Sequence, residues 1–153
     1  MADIFDVSKE ILKHYSYGIS TRKLQKLAYF SQGWVLALTG KPLFEEDFEA
    51  WQFGPVSRSL YCRHRGAYSI TDSDLPLGDA TNLNRTESVI VGAVLRNYGS
   101  LSGDELSDMT HAVGTPWQRI RQEKGVQVGK GSSEIIPKDL IQAYFRNILR
   151  VES

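Results

Sequence analysis

A chain of 153 residues is long enough to bury one sizeable core without disulfides or metal, so a single domain over residues 1–153 is expected. Eighteen basic residues balance eighteen acidic ones, which excludes a global field drawing the chain to a phosphate backbone or an anionic membrane. A lone cysteine, Cys62, excludes an internal disulfide and fits a reducing compartment.

The opening "MADIFDVSKEILKHY" carries acids early and has no continuous apolar run, so it does not read as a signal peptide. Ile4, Val7 and Ile11 recur at helical spacing and predict a first helix from about 4 to 14, with Tyr15 turned inward beyond it. The strongest periodic stretch follows in "STRKLQKLAYFSQGWVLALTG". Leu24, Leu27, Ala28, Ser31, Trp34, Val35 and Leu38 share one face there, Ser20 or Thr21 can cap the start, and Gly40 can end the helix. Its apolar run around "WVLAL" is too short to span a bilayer, and a cytoplasmic protein is expected.

"DFEAWQF" alternates and predicts a strand near 48–53, with Trp51, Phe53 and Glu49 on one side and Phe48 and Ala50 on the other. "FGPV" then reads as a strand-to-helix corner. Gly54 supplies a conformation closed to other residues, and Pro55 starts a helix carrying Val56, Leu60 and Tyr61. "TDSDLPLGDATNLN" is a long polar loop.

Asn84 with Glu87, Ser102 with Glu105 and Thr115 with Gln118 have the spacing of a capping box, and Pro116 suits a first helical position. Helices are therefore expected near 84–98, 103–112 and 116–123. "SSEIIP" predicts a strand near 133–136, and a last helix begins at Pro137 with Leu140, Ile141, Tyr144, Phe145 and Ile148 as a wide apolar stripe. The fold class expected is mainly α, a compact single-domain helical bundle with a small β-element.

The search for chemistry returns little. Glu45, Glu46, Asp47 and Glu49 form a near-continuous acidic run whose side chains splay apart, which reads as a solvated turn rather than a catalytic pair or cation site. Cys62 and His64 lack zinc spacing, no second cysteine exists, and His14 and His111 stand alone. GxxxxGK[ST], GxGxxG and GxSxG are absent, and "GVQVGKGSSE" reads as a flexible turn. No catalytic residue, cofactor or metal ligand is assigned. Arg58, Arg63, His64 and Arg65, with Arg22, Lys23 and Lys26, could form a positive surface, suited to an acidic protein partner and not to direct nucleic-acid binding. Trp51, Phe53, Arg58, Tyr61 and Arg65 are the candidate partner-binding residues, since Trp and Arg are enriched at binding hot spots.

The segment "KLQKLAYFSQGWVLALTGKPLFEEDFEAWQFGPVSRSLY" resembles the signature half of the Panacea domain, the SocA-like antitoxin domain of phage-associated GepA-like proteins. Leu101, Ser102, Leu106, Thr110, His111, Pro116 and Trp117 resemble its later "LS…TH…PW" block. "SRS" at Ser57–Ser59 departs from the more apolar, proline-containing stretch expected there. The resemblance implies an antitoxin of a type II toxin–antitoxin system that neutralises its toxin by direct contact, without catalysis. The partner implied is a protein toxin encoded by an adjacent gene, with translation inhibitors of the alarmone-synthetase type among the toxins paired with the family. A proteolytic adapter and a small hydrolase or transferase using Cys62, His64 or His111 are the competing readings, and a homo-oligomer is compatible with either. In this light Gly54, Pro55, His111, Pro116 and Trp117 are fold-defining: His111 binds a helix end or loop backbone, and Trp117 anchors the helix that follows it.

Overall fold

The computed structural model describes residues 1–152. The chain runs α1 (Ile4–Leu12), β1 (Ile19–Ser20), α2 (Thr21–Thr39), β2 (Phe48–Trp51), β3 (Gly54–Val56), α3 (Arg58–His64), β4 (Ser69–Ile70), α4 (Arg85–Tyr98), α5 (Gly103–Thr110), α6 (Pro116–Glu123), β5 (Ile135–Ile136) and α7 (Lys138–Glu152). It is a mainly helical fold with small antiparallel sheets, as its periodicities predict.

The centre is α2. Ser20 accepts from Lys23 N–H at 3.0 Å and caps its start, and Gly40, in the left-handed region at φ 77°, ends it. Helices α1, α4, α5 and α7 pack around it, so residues 24–33 are buried on every face and not along one stripe. Leu38, expected inside, is 52% exposed, because Val35, Leu36 and Ala37 carry the buried face of the last turn. Gly33 has a packing reason. The Phe145 ring of α7 lies so close that a β-carbon at Gly33 would overlap it, with Phe145 Cζ only 2.7 Å away. Phe145 in turn meets Tyr29, Phe30, Trp34 and Tyr144 edge-on, in the arrangement that ring quadrupoles favour.

Caps set the other boundaries. Asp3 with Asp6, Asn84 with Glu87 and Ser102 with Glu105 form reciprocal capping boxes. Thr115 accepts from Gln118 N–H, but the Gln118 side chain accepts from Gly114 N–H at 3.0 Å and so does not close the box. The loop before α4 is less polar inside than its composition suggests. Leu75 and Leu83 are buried, and the Asp6 carboxylate holds Asp79 N–H at 2.8 Å and Asn82 Nδ2 at 3.3 Å.

The corner expected at Gly54 is a hairpin instead. β3 returns antiparallel on β2, pairing Ala50 with Pro55 and Trp51 with Gly54, and α3 begins only after Ser57 has capped it. Val56 therefore lies on a strand and not on the helix. Pro55 is tolerated because β3 is an edge strand in the order β3-β2-β5, where a missing N–H breaks no further ladder. β5 pairs with the other side of β2, Ile136 opposite Phe48. A separate pair, β1 with β4, had no signal in the sequence. Among the described residues no helix is long and apolar enough to cross a membrane.

Candidate functional site

The β2–β3 hairpin separates two environments. Its inward residues Phe48 and Ala50 are buried against Phe44 and Tyr29. Outward, Glu49 and Trp51 lie half-buried, and Phe53 in the turn is 54% exposed. The alternation read from sequence thus sorts core from surface as strand geometry requires.

Behind the hairpin, four successive carbonyls receive side-chain donors from α5 and α6. Arg121 Nη1 donates to Ala50 O at 2.8 Å, Trp117 Nε1 to Trp51 O at 2.6 Å, His111 Nε2 faces Gln52 O at 3.1 Å, and Ser107 Oγ donates to Phe53 O. The His111 and Trp117 rings touch, with centroids 3.9 Å apart, and the Arg121 guanidinium lies 4.7 Å from the Trp117 ring centroid. Trp117 and Arg121 are buried, and Pro116 opens α6 at its first turn. Arg121 also donates to Gln127 O at 3.2 Å and Lys130 O at 2.5 Å, so the glycine-bearing segment that reads as a flexible turn is tied back to α6.

From the other side α2 grips the exit of the hairpin. Gln25 accepts from Ser57 N–H at 2.9 Å and donates to Ser57 O at 3.1 Å, and Lys26 Nζ donates to Pro55 O at 3.1 Å. Gly54 sits at φ 120°, a conformation costing an L-residue with a side chain on the order of 1–3 kcal/mol. Space forbids a side chain as well. A β-carbon on Gly54 would lie 2.5 Å from Lys26 Cε and 3.0 Å from Thr110 Oγ1.

On the outer face, Arg58 from α3 makes a two-pronged ion pair with Glu49, 3.1 and 2.9 Å, and Trp51 Nε1 donates to the same carboxylate at 2.9 Å. Burial pushes the Glu49 carboxyl up, but the bonds from Arg58 and Trp51 outweigh it and hold the group below the usual range. The Trp51 ring meets Tyr61 at 4.8 Å and lies under Arg58, while Arg22 lies over Phe53 at 5.0 Å. Trp51, Phe53, Arg58 and Tyr61 therefore share one surface. Arg65, at the far end of α3, is exposed and contributes no contact to this group.

Between α2, the hairpin and α3 lies a groove of about 430 Å³ lined by Trp51, Phe53, Val56, Tyr61, His64 and Lys26. Hollows of about 680 Å³ between α6 and α7 and about 500 Å³ between α2 and α4 gather none of the candidate contact residues. Lys26 is 2% exposed; burial first, then the like charge of Arg22, push its ammonium down to about 7. Burial likewise holds His64 below its ordinary value, and Gln25 Nε2 reaches its Nε2 at 3.1 Å.

The positive surface expected from α2 does not form as one patch. Lys26 is buried, Lys23 donates to Gly99 O at 2.6 Å, and Arg22 pairs with Asp104 at 2.6 Å. Burial of Lys26 has no signal in helical periodicity alone; the nearest hint is its place between Leu24, Gln25 and Leu27 in the motif. Cys62 is exposed whereas His64 is turned inward, so the two neighbours face different surroundings. The acidic run splays as anticipated. Glu46 accepts from Ile4 N–H, Asp47 pairs with Lys138 and Glu49 with Arg58. Among the described residues no three His, Cys, Asp or Glu side chains gather to hold a metal.

Comparison with protein families matches residues 24–118 to the antitoxin SocA-like Panacea domain. That span holds α2, the hairpin, α3, α4, α5 and the first turn of α6, and so most of the donors that grip the hairpin. Antitoxin SocA of Caulobacter vibrioides (strain NA1000 / CB15N) is 34% identical over 123 residues, covering 74% of this chain and 65% of that protein's length. No solved structure matches the chain.

Proposed function

This chain belongs to the SocA-like Panacea antitoxin family, and on that premise we propose that it neutralises a cognate protein toxin, as the antitoxin of a type II system, by direct binding through the outer face of the β2–β3 hairpin. One observation carries the choice of face. The hairpin backbone is held from behind at the carbonyls of residues 50–53, so Trp51 and Phe53, with Arg58 and Tyr61 of α3 fastened to Glu49 and Trp51, are presented on a support already ordered before any partner arrives. Preordered aromatic and Arg side chains lose little freedom on docking, which is where binding hot spots concentrate. Family membership suggests a non-enzymatic role, and the role proposed requires none of Cys62, His64 or His111 as a nucleophile or base.

The test is co-expression of the chain with the product of its adjacent gene, followed by co-purification. A stable complex and rescue of growth are expected, with both lost in Phe53→Ala combined with Arg58→Gln and both kept in Cys62→Ser. Rescue without any complex by co-purification or crosslinking overturns binding as the mechanism. Full binding by the double variant moves the contact to another face.

A further inference from the structure

Lys26 is the one buried charged side chain of α2, and its hydrogen-bonding capacity is only partly filled. An ammonium has three N–H donors. Here Pro55 O, at 3.1 Å, is its hydrogen-bond acceptor, and no carboxylate of the described residues pairs with it. A buried cation without an acid is expensive, and a methionine of similar length would fill the same space without that cost. The hairpin nevertheless accommodates it: Gly54 leaves room for the lysine, since any β-carbon there would lie 3.1 Å from Nζ and closer still to Cε.

The groove beside this ammonium supplies the second half of a site. Trp51, Phe53, Val56 and Tyr61 line it together with Lys26, the Trp51 and Tyr61 rings in contact with each other. The neighbouring cations are already committed, Arg22 to Asp104 and Arg58 to Glu49. One positive charge is therefore left uncommitted, which matches a single carboxylate and not a phosphate needing several donors.

We propose that the groove receives an acidic side chain of the bound toxin, flanked by apolar residues, whose carboxylate takes the free N–H groups of Lys26 while its apolar neighbours lie against Trp51, Phe53 and Tyr61. This rests on the antitoxin reading and adds the chemistry of the toxin segment recognised. A carboxylate paired with Lys26 converts a standing desolvation cost into a charge-assisted hydrogen bond, so the lysine destabilises the free protein and strengthens the complex.

The first arm of the test needs no toxin. The full chain is titrated with 3-phenylpropanoate and with the neutral 3-phenylpropanamide, following the Lys Nζ resonances of ¹⁵N-lysine-labelled protein and the heat of binding. The acid should bind about tenfold or more tightly than the amide and shift the Lys26 resonance, because the carboxylate brings an opposite charge to the hydrogen bond whereas the amide carbonyl accepts as a neutral group. In Lys26→Met that preference should vanish. Equal binding of acid and amide, binding of neither, or a preference that survives Lys26→Met overturns the proposal, as does inorganic phosphate binding at the same resonance as tightly as the acid.

The second arm uses the purified complex with the toxin. Lys26→Met should weaken it about tenfold or more while melting no lower than the parent. A complex formed equally well by Lys26→Met sinks the acidic-segment assignment and leaves the antitoxin reading standing. Absence of any complex with the parent sinks the antitoxin reading, whereas the acid-over-amide preference reports on the groove by itself.

Discussion

In the C-terminal half of α2, Gln32 is 1% exposed with its amide engaged at both ends, accepting from Leu43 N–H at 2.7 Å and donating to Phe44 O at 2.8 Å. In the N-terminal half, Lys26 is 2% exposed with a single acceptor and a like charge for its nearest ionic influence. Both are polar groups inside one helix's packing shell, and the first is a fastening whereas the second is a cost. The difference separates Gln32, which serves the fold, from Lys26, which faces the groove, since buried polar groups stabilise only when their partners are complete. Gln25, beside Lys26, is bonded as fully as Gln32.

Substitutions can break or sharpen that contrast, and the largest effect should come from the C-terminal half of α2. Gly33→Val drives a branched side chain into the Phe145 ring and should cost about 3 kcal/mol or more in urea unfolding, overpacking a site with no free volume. Retention of parental stability would mean that α7 can shift away from α2.

Gln32→Leu should follow, losing about 2–3 kcal/mol because Leu43 N–H and Phe44 O remain buried without partners. A loss as small as that of a surface change would show that water reaches those groups and that this end is less sealed than the groove.

Lys26→Met should act in the opposite direction, gaining about 1–4 kcal/mol at neutral pH and below. The sign follows from proton counting. The folded ammonium titrates at about 7 and the unfolded one near its ordinary value, so between those two the unfolded chain binds the extra proton and the stability of the parent rises with pH. Below about 7 both states are protonated, and the folded state carries the whole burden of the buried charge. Thermal melts from pH 6 to 9.5 should show that upward slope in the parent and a smaller one in Lys26→Met. The same slope in both proteins would assign it to another group.

Arg58→Gln should have the least effect on stability, since the Arg58 end of its pair with Glu49 is exposed to solvent and Trp51 Nε1 still donates to the carboxylate. Charge reversal at this position would be a poorer test, because it would set a second carboxylate against Glu49. Toxin affinity should nevertheless fall in Arg58→Gln while the melting temperature stays near that of the parent.

Much of this was legible along the chain. Asn84 with Glu87 and Ser102 with Glu105 announce their helices because a cap is satisfied within one turn. The outward side of β2 is readable because side chains alternate, and the positive φ suspected at Gly54 is there at 120°. The hairpin was misread as a helix start because Pro55 suits a first helical turn and an edge strand equally well, and only the pairing of residue 55 with residue 50 decides between them.

Local sequence therefore determined the helix ends and the strand alternation, which depend on interactions within a few positions. Tertiary structure decided which polar side chains are buried and what they hold. Lys26 reads as part of a positive surface until β3 closes over it, and the Arg121 guanidinium meets Ala50 O only where α6 packs against β2. The physical reason is that each partner is a backbone carbonyl, present at every residue and so invisible in composition, supplied by a segment that only the folded chain brings within hydrogen-bonding distance.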